Sequence, residues 1–199
     1  MSKSKSKKDK QKKVLIWGGI SAVALFLLLR KKDKPGNNNG TIQTGTLPRG
    51  LSNLNPMNIK ISDVSWENKV PKSQNTDGTF EQFKNLKSGY LATLQNLDFY
   101  LRHNADTLRK VVYRWDRGFS GDYPTYYLDY VVEHSGLNPN DEIPGLYAWT
   151  DKAKAEQLFW KIILNMSTFE NGHNWRANIQ KTHSEFFIPA FNELWQRVH

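Results

Sequence analysis

The stretch DKAKAEQLFWKIILNMSTFENG, residues 151–172, reads as one amphipathic helix with a marked start and a marked end. Asp151 suits an N-cap, where a short acceptor side chain satisfies backbone N–H groups that the first turn leaves unpaired. Behind it Leu158, Ile162, Met166 and Phe169 recur every three or four residues, the spacing that lines one helical face. Glu170-Asn171-Gly172 falls where the helix should end.

The same periodicity continues on either side. Leu91, Leu94, Leu97 and Leu101 predict a helix over about 88–103. Asp106-Thr107 caps another, with Leu108, Val111, Val112 and Trp115 on one face. Pro124 fits the first turn of a third, with Tyr127, Val131 and Val132 inward and Gly136 at its end. A last helix is expected from about Ile179 or Ser184 to Val198, broken or kinked near Pro189. Residues 49–83 hold many turn formers between short apolar pieces (Ile59, Ile61, Val64, Trp66, Phe80, Phe83), which predicts loops with one or two short strands at most. The fold class is mainly α, with a loop-rich opening lobe.

Ahead of this domain the composition changes. Val14–Leu29, VLIWGGISAVALFLLL, is sixteen residues without a charge. As a helix it would span ~24 Å, a little short of the ~30 Å hydrocarbon core. Lys12 and Lys13 before it and Arg30 to Lys32 after it can snorkel to close the gap. A cleaved signal peptide is disfavoured, because basic residues follow the run in place of a small-residue cleavage site. The expected organisation is a basic tail over 1–13, a transmembrane helix over 14–30, a flexible Gly/Asn/Thr/Pro linker over 31–48 and a domain over 49–199. Lysines are more numerous before the run than after it, so the positive-inside bias places the N-terminus inside and the domain outside. The membrane is a viral internal membrane or a bacterial inner membrane.

The formal charge of +9 is confined to this anchor region. Residues 1–34 carry eleven basic and two acidic side chains, and the remainder has seventeen of each. A phosphate-backbone interface needs a local excess of Lys and Arg, so residues 49–199 are not expected to bind nucleic acid. The chain has no cysteine, which excludes disulfides, thiolate catalysis and Cys-ligated zinc. His103, His134, His173, His183 and His199 are scattered without an i,i+4 ligand pair, so no metal is expected. Neither a phosphate-binding loop nor a nucleophile elbow is present, and no cofactor is expected.

Several short motifs occur in a recognisable order. Arg49-Gly50-Leu51 … Asn55-Pro56-Met57-Asn58-Ile59-Lys60 opens the domain, followed by Trp66, Phe80-Glu81-Gln82-Phe83, Gly89 and Tyr100. Thr107-Leu108 to Trp115, Tyr126 to Gly136-Leu137-Asn138-Pro139, and Glu170-Asn171-Gly172 complete the series. Over residues 49–172 this resembles a family of phage and prophage virion structural proteins that open with RGI…NNPGNIR. The core of the series is also similar, more distantly, to bacterial glucosaminidases and other lysozyme-like peptidoglycan hydrolases. In those enzymes the catalytic glutamate ends a helix just ahead of the segment matching Asn55–Lys60. Here no glutamate precedes Asn55. The resemblance therefore implies a circularly permuted lysozyme-like domain, with the glutamate helix placed behind the rest.

What this implies for function is a membrane-anchored virion-type protein that engages peptidoglycan and cleaves its glycan strand, as a muramidase, glucosaminidase or lytic transglycosylase. Glu170 is the expected general acid, since glycan cleavage needs a carboxylic acid whose pKa is raised by an apolar wall. Met166, Phe169 and Trp175 are the residues near enough in sequence to build that wall. Asp77, Asp116 and Glu67 are candidate second carboxylates. Asn55, Asn58, Trp66 and Tyr126 are the expected substrate-binding residues, Tyr126 standing among four tyrosines with Tyr123, Tyr127 and Tyr130. Two positions depart from the family: Asn68 replaces the glycine of its W-x-G, and Asp116-Arg117-Gly118 follows Trp115 in place of A-P-P-S-E-N. They motivate the alternative of a non-catalytic structural virion membrane protein that retains the fold and contacts other virion proteins.

Overall fold

The computed structural model describes residues 45–116 and 125–199. The expected tail, transmembrane helix and most of the linker lie outside the described residues, as do Tyr123 and Pro124. Among the described residues no helix is long and apolar enough to cross a membrane.

Seven α-helices are described: α1 Arg49–Ser52, α2 Leu86–Arg102, α3 Leu108–Trp115, α4 Thr125–Ser135, α5 Lys152–Asn171, α6 Arg176–Lys181 and α7 Ile188–Val198. Their starts follow the capping chemistry of the sequence. Asn85, Thr107 and Asp151 each accept a hydrogen bond from the backbone N–H three residues on, at Ser88, Lys110 and Lys154. Gly136 and Gly172, both at positive φ, stand just past α4 and α5.

Helix α2 starts earlier than the spacing predicts. Asn85 caps it, so Gly89 lies within its first turns and does not begin it. A Cβ on Gly89 would come within 1.9 Å of the Leu54 carbonyl oxygen, so α2 can rest directly on the opening lobe only with glycine there. The last helix is divided three ways. After α6 comes a π-helical turn, His183–Phe187, and Pro189 sits in the first turn of α7.

The core is built around α2. Leu91, Leu94, Leu97 and Leu101 are all buried, and α2 packs most extensively on α7, as α4 does on α5. A second, smaller cluster joins Leu51 of α1 to Leu164 and Ile179, with Leu47 and Trp175 against it. Trp175 is therefore part of this cluster. The packed body also reaches back past the expected boundary at Arg49, to Leu47.

The opening lobe has no strand among the described residues, only isolated antiparallel bridges at Lys60–Phe80 and Lys69–Phe83. Side chains substitute for a ladder. Asp77 accepts from Arg49 (Nη2 at 2.6 Å), Asn53 Nδ2 (2.7 Å) and the backbone N–H of Phe80 (2.9 Å). These donors, the Arg49 guanidinium first, hold its carboxyl far below the usual range. Buried Glu81 accepts from the Ser62 N–H and from Lys69.

Candidate active site at the end of helix α5

One face of the last turn of α5 is stitched to the opening segment. Ser167, Glu170 and Asn171 stand at i, i+3 and i+4, so they share a face. Ser167 Oγ and Asn171 Nδ2 both donate to the Pro56 carbonyl at 2.8 Å, and Asn171 Oδ1 accepts from the Leu51 N–H at 3.2 Å. Glu170 is thereby brought against Asn58, whose Nδ2 donates to its Oε2 at 3.0 Å. The approach is close enough that a Cβ on Gly50 would stand 2.5 Å from Asn171 Oδ1 and 2.7 Å from Asn58 Oδ1. Asn58 itself adopts φ 52°, a left-handed conformation that asparagine tolerates better than most residues.

The other Glu170 oxygen accepts from the Tyr127 hydroxyl at 3.2 Å. Tyr127 is buried, and its ring is stacked on Phe169 with centroids 4.0 Å apart and planes 10° apart. The carboxyl is thus slung between two donors on two different elements. Burial raises its pKa above the ordinary value. The Asn58 and Tyr127 hydrogen bonds oppose that rise, the charge of Asp116 adds to it, and Lys60 opposes it. Asp116 is also shifted upward by burial, against the pull of Lys60. Both carboxyls are thus shifted upward, and the charge of Asp116 favours the protonated form of Glu170.

Glu170 faces a cavity of about 420 Å³ whose lining includes Asn58, Lys60, Trp66, Tyr100, Trp115 and Asp116. That volume lies within the ~300–1,000 Å³ of typical ligand pockets. Trp115 is held by its Nε1 donating to the Met57 carbonyl at 3.1 Å and by an edge contact with Tyr100. Three buried polar atoms lack a hydrogen-bond partner among the described residues: Asn58 Oδ1, Trp66 Nε1 and Asp116 Oδ2. All three belong to residues of this cavity. Two acceptors and one donor without partners are a cost in an empty structural core, and are usable by a polar ligand.

The structure brings together Glu170, Asn58 and Trp66 of the expected site residues, with Asp116 of the candidate second carboxylates. It does not bring Asn55 or Tyr126. Asn55 has no exposed surface, and its carboxamide is consumed by the Ile59 N–H and the Ile59 and Glu81 carbonyls, so it shapes the 55–59 turn and cannot reach a ligand. Tyr126 is 58% exposed, leans on Phe169, and is absent from the cavity lining. Its neighbour Tyr127 is the tyrosine that meets Glu170. Asp77 is tied into the opening lobe, and Glu67 is an exposed partner of Arg197. Of the expected wall, Phe169 stacks on Tyr127, whereas Trp175 packs in the smaller cluster. Among the described residues no group of three or more His, Asp or Glu side chains could hold a metal ion.

No protein-family model matches the sequence, and no curated protein matches it.

Proposed function

We propose that this chain is a membrane-anchored protein of a phage or prophage virion, and that its domain cleaves the glycan strand of peptidoglycan with Glu170 as general acid. The observation that carries the reading is the state of that one carboxyl. It is half-buried, its pKa is raised by desolvation, it is held by Asn58 and Tyr127, and it faces a cavity of ligand size. A raised pKa keeps the acid protonated at higher pH, which a group that must donate to a glycosidic oxygen requires.

In the proposed reaction the Glu170 proton passes to the bridging oxygen as the anomeric C–O bond breaks, leaving an oxocarbenium-like sugar and an ionised Glu170. Water then adds at the anomeric carbon, or the sugar's own 6-hydroxyl does so in a transglycosylase. Glu170 accepts the released proton in either case. Asp116 is the carboxylate available to steady the developing positive charge. The permuted lysozyme-like arrangement is supported by the contact itself: the last turn of α5 lies more than a hundred residues beyond the opening segment and docks on it through Ser167, Glu170 and Asn171. The anchor is Val14–Leu29, with the domain outside.

The test is digestion of purified murein by the full-length chain in non-ionic detergent, with products identified by mass. Soluble glycan fragments are expected, with reducing ends from hydrolysis or 1,6-anhydro ends from transglycosylation. Glu170→Gln should lose at least ~10²-fold of the rate, the usual worth of a general acid. Absence of any fragment from the parent chain would leave the non-catalytic structural virion protein as the reading.

A further inference from the structure

A second cavity, of about 580 Å³, lies on the far side of Trp66 between α2 and α7. It is not separate from the Glu170 cavity, because Val64, Trp66 and Asn96 line both. Its chemistry is distinctive. Gln95 and Asn96 project their carboxamides from consecutive positions of α2, and among the described residues neither makes a hydrogen bond. Each carboxamide can donate and accept at once, the pattern that vicinal hydroxyls match. Phe99, 42% exposed, adds aromatic surface one turn further along, its ring stacked on His103 with centroids 4.0 Å apart, and half-buried Trp66 contributes its unpartnered Nε1.

The charges in this cavity are already compensated. Arg102 is paired with Asp98 at 2.9 Å, and Arg197 with Glu67 at 2.7 Å and with Glu193. An anionic ligand would find no free guanidinium and would have to displace a carboxylate to gain one. A neutral ligand bearing hydroxyls on its edge and C–H groups on its face fits without that cost.

We propose that this cavity is a second saccharide-binding compartment, continuous past Trp66 with the Glu170 cavity, so that a glycan strand occupies both. Gln95 and Phe99 bind the distal sugars and do not touch the reacting bond. The proposal rests on the glycan-cleaving reading for the identity of the polymer, and it makes chain length the determinant of affinity.

The experiment measures binding of chito-oligosaccharides by calorimetry to the full-length Glu170→Gln chain in detergent, where cleavage is blocked. The hexamer should bind about tenfold more tightly than the trimer, the worth of one aromatic contact and one or two added hydrogen bonds. The double variant Gln95→Ala/Phe99→Ala on that background should bring the hexamer to the trimer's level and leave the trimer unchanged. Val198→Trp, which narrows the same cavity from α7, should do likewise and serves if the double variant is poorly folded. Equal affinities for trimer and hexamer, no binding of the hexamer, or a length effect that survives both variants would overturn the proposal. The two readings separate cleanly. Length-dependent binding in a chain that cuts no murein sustains the compartment and removes the catalysis, whereas cutting without length dependence does the reverse.

Discussion

At the scale of the residue, the Glu170 carboxyl is set by opposing influences that can be removed singly. Tyr127 donates to it and so favours the ionised form. Tyr127→Phe keeps the stacked ring and removes that donor, so the Glu170 pKa should rise and the alkaline limb of the murein pH–rate profile should move to higher pH. Asp116 acts with the opposite sign. Asp116→Asn removes a negative neighbour, and the same limb should move to lower pH. Shifts in the same direction for the two variants would contradict the assignment of the acid. Stability follows the same logic. A carboxyl whose folded pKa is raised binds its proton more tightly in the folded chain, so its contribution is present below the unfolded pKa and is lost as pH rises through the folded value. Glu170→Gln removes that dependence. Its amide can accept from Asn58 and donate to the Tyr127 hydroxyl. Its Tm should match the parent's in acid and equal or exceed it at neutral pH, as thermal melts across that range would show. The end of α5 is legible from Gly172, and Glu170 is singled out by the resemblance of Glu170-Asn171-Gly172 to a family motif. The spacing places Tyr127 inward with Val131 and Val132, and it is buried, but its hydrogen bond to Glu170 is not legible, because the helical period fixes a face and not the element that face meets.

At the scale of the element, the helices were readable and the lobe that completes the site was not. Leu91 to Leu101, and Leu108 with Val111 and Val112, repeat at helical spacing and are buried as that spacing requires. The opening lobe is fixed by bonds such as Arg49 to Asp77, Asn55 to Glu81 and Asn58 to Glu170, which join residues 26 to 112 positions apart and leave no local period to read. The two close approaches between lobe and helices should respond differently to a single methyl group. Gly89→Ala drives its Cβ onto the Leu54 carbonyl, a backbone atom that cannot swing away, and should cost about 3 kcal/mol or more by denaturant unfolding. Gly50→Ala meets the side-chain oxygens of Asn58 and Asn171, with the Asn55 carbonyl 2.9 Å away. The side chains can yield in part, so its stability loss should be the smaller of the two. Because Asn58 is what yields, the fall in murein cleavage should exceed what the lost stability explains. A Gly50→Ala chain as active as the parent would dissociate Asn58 from the positioning of Glu170.

At the scale of the whole molecule, the chain divides by charge more sharply than by fold. All of the +9 lies in residues 1–34, and everything beyond them is neutral. On the proposed reading, membrane affinity belongs to the basic, apolar-cored N-terminal segment, and the neutral domain leaves the groove free of long-range attraction to anionic polymers. The sequence placed the domain boundary at Arg49 because the Gly/Asn/Thr/Pro composition runs to Pro48. Composition could not register that Leu47 packs on both apolar clusters or that the Pro48 carbonyl accepts from the Ser52 N–H at 2.9 Å. Two truncations therefore test the organisation together. A chain beginning at Gly45 should unfold with the full domain's stability. One beginning at Arg49 should lose about 1–2 kcal/mol, the worth of a partly buried leucine and one helix-start bond. Neither should sediment with membranes, because both lack Val14–Leu29, whereas the full chain should remain in the membrane fraction through a high-salt wash and leave it only with detergent. Release of the full chain by salt alone would mean that the lysines hold it at the surface and that the sixteen apolar residues do not span. A mature N-terminus beyond Leu29 would mean that they are removed. Either result would free the groove from the bilayer and end the proposal that this domain works on peptidoglycan from a membrane tether.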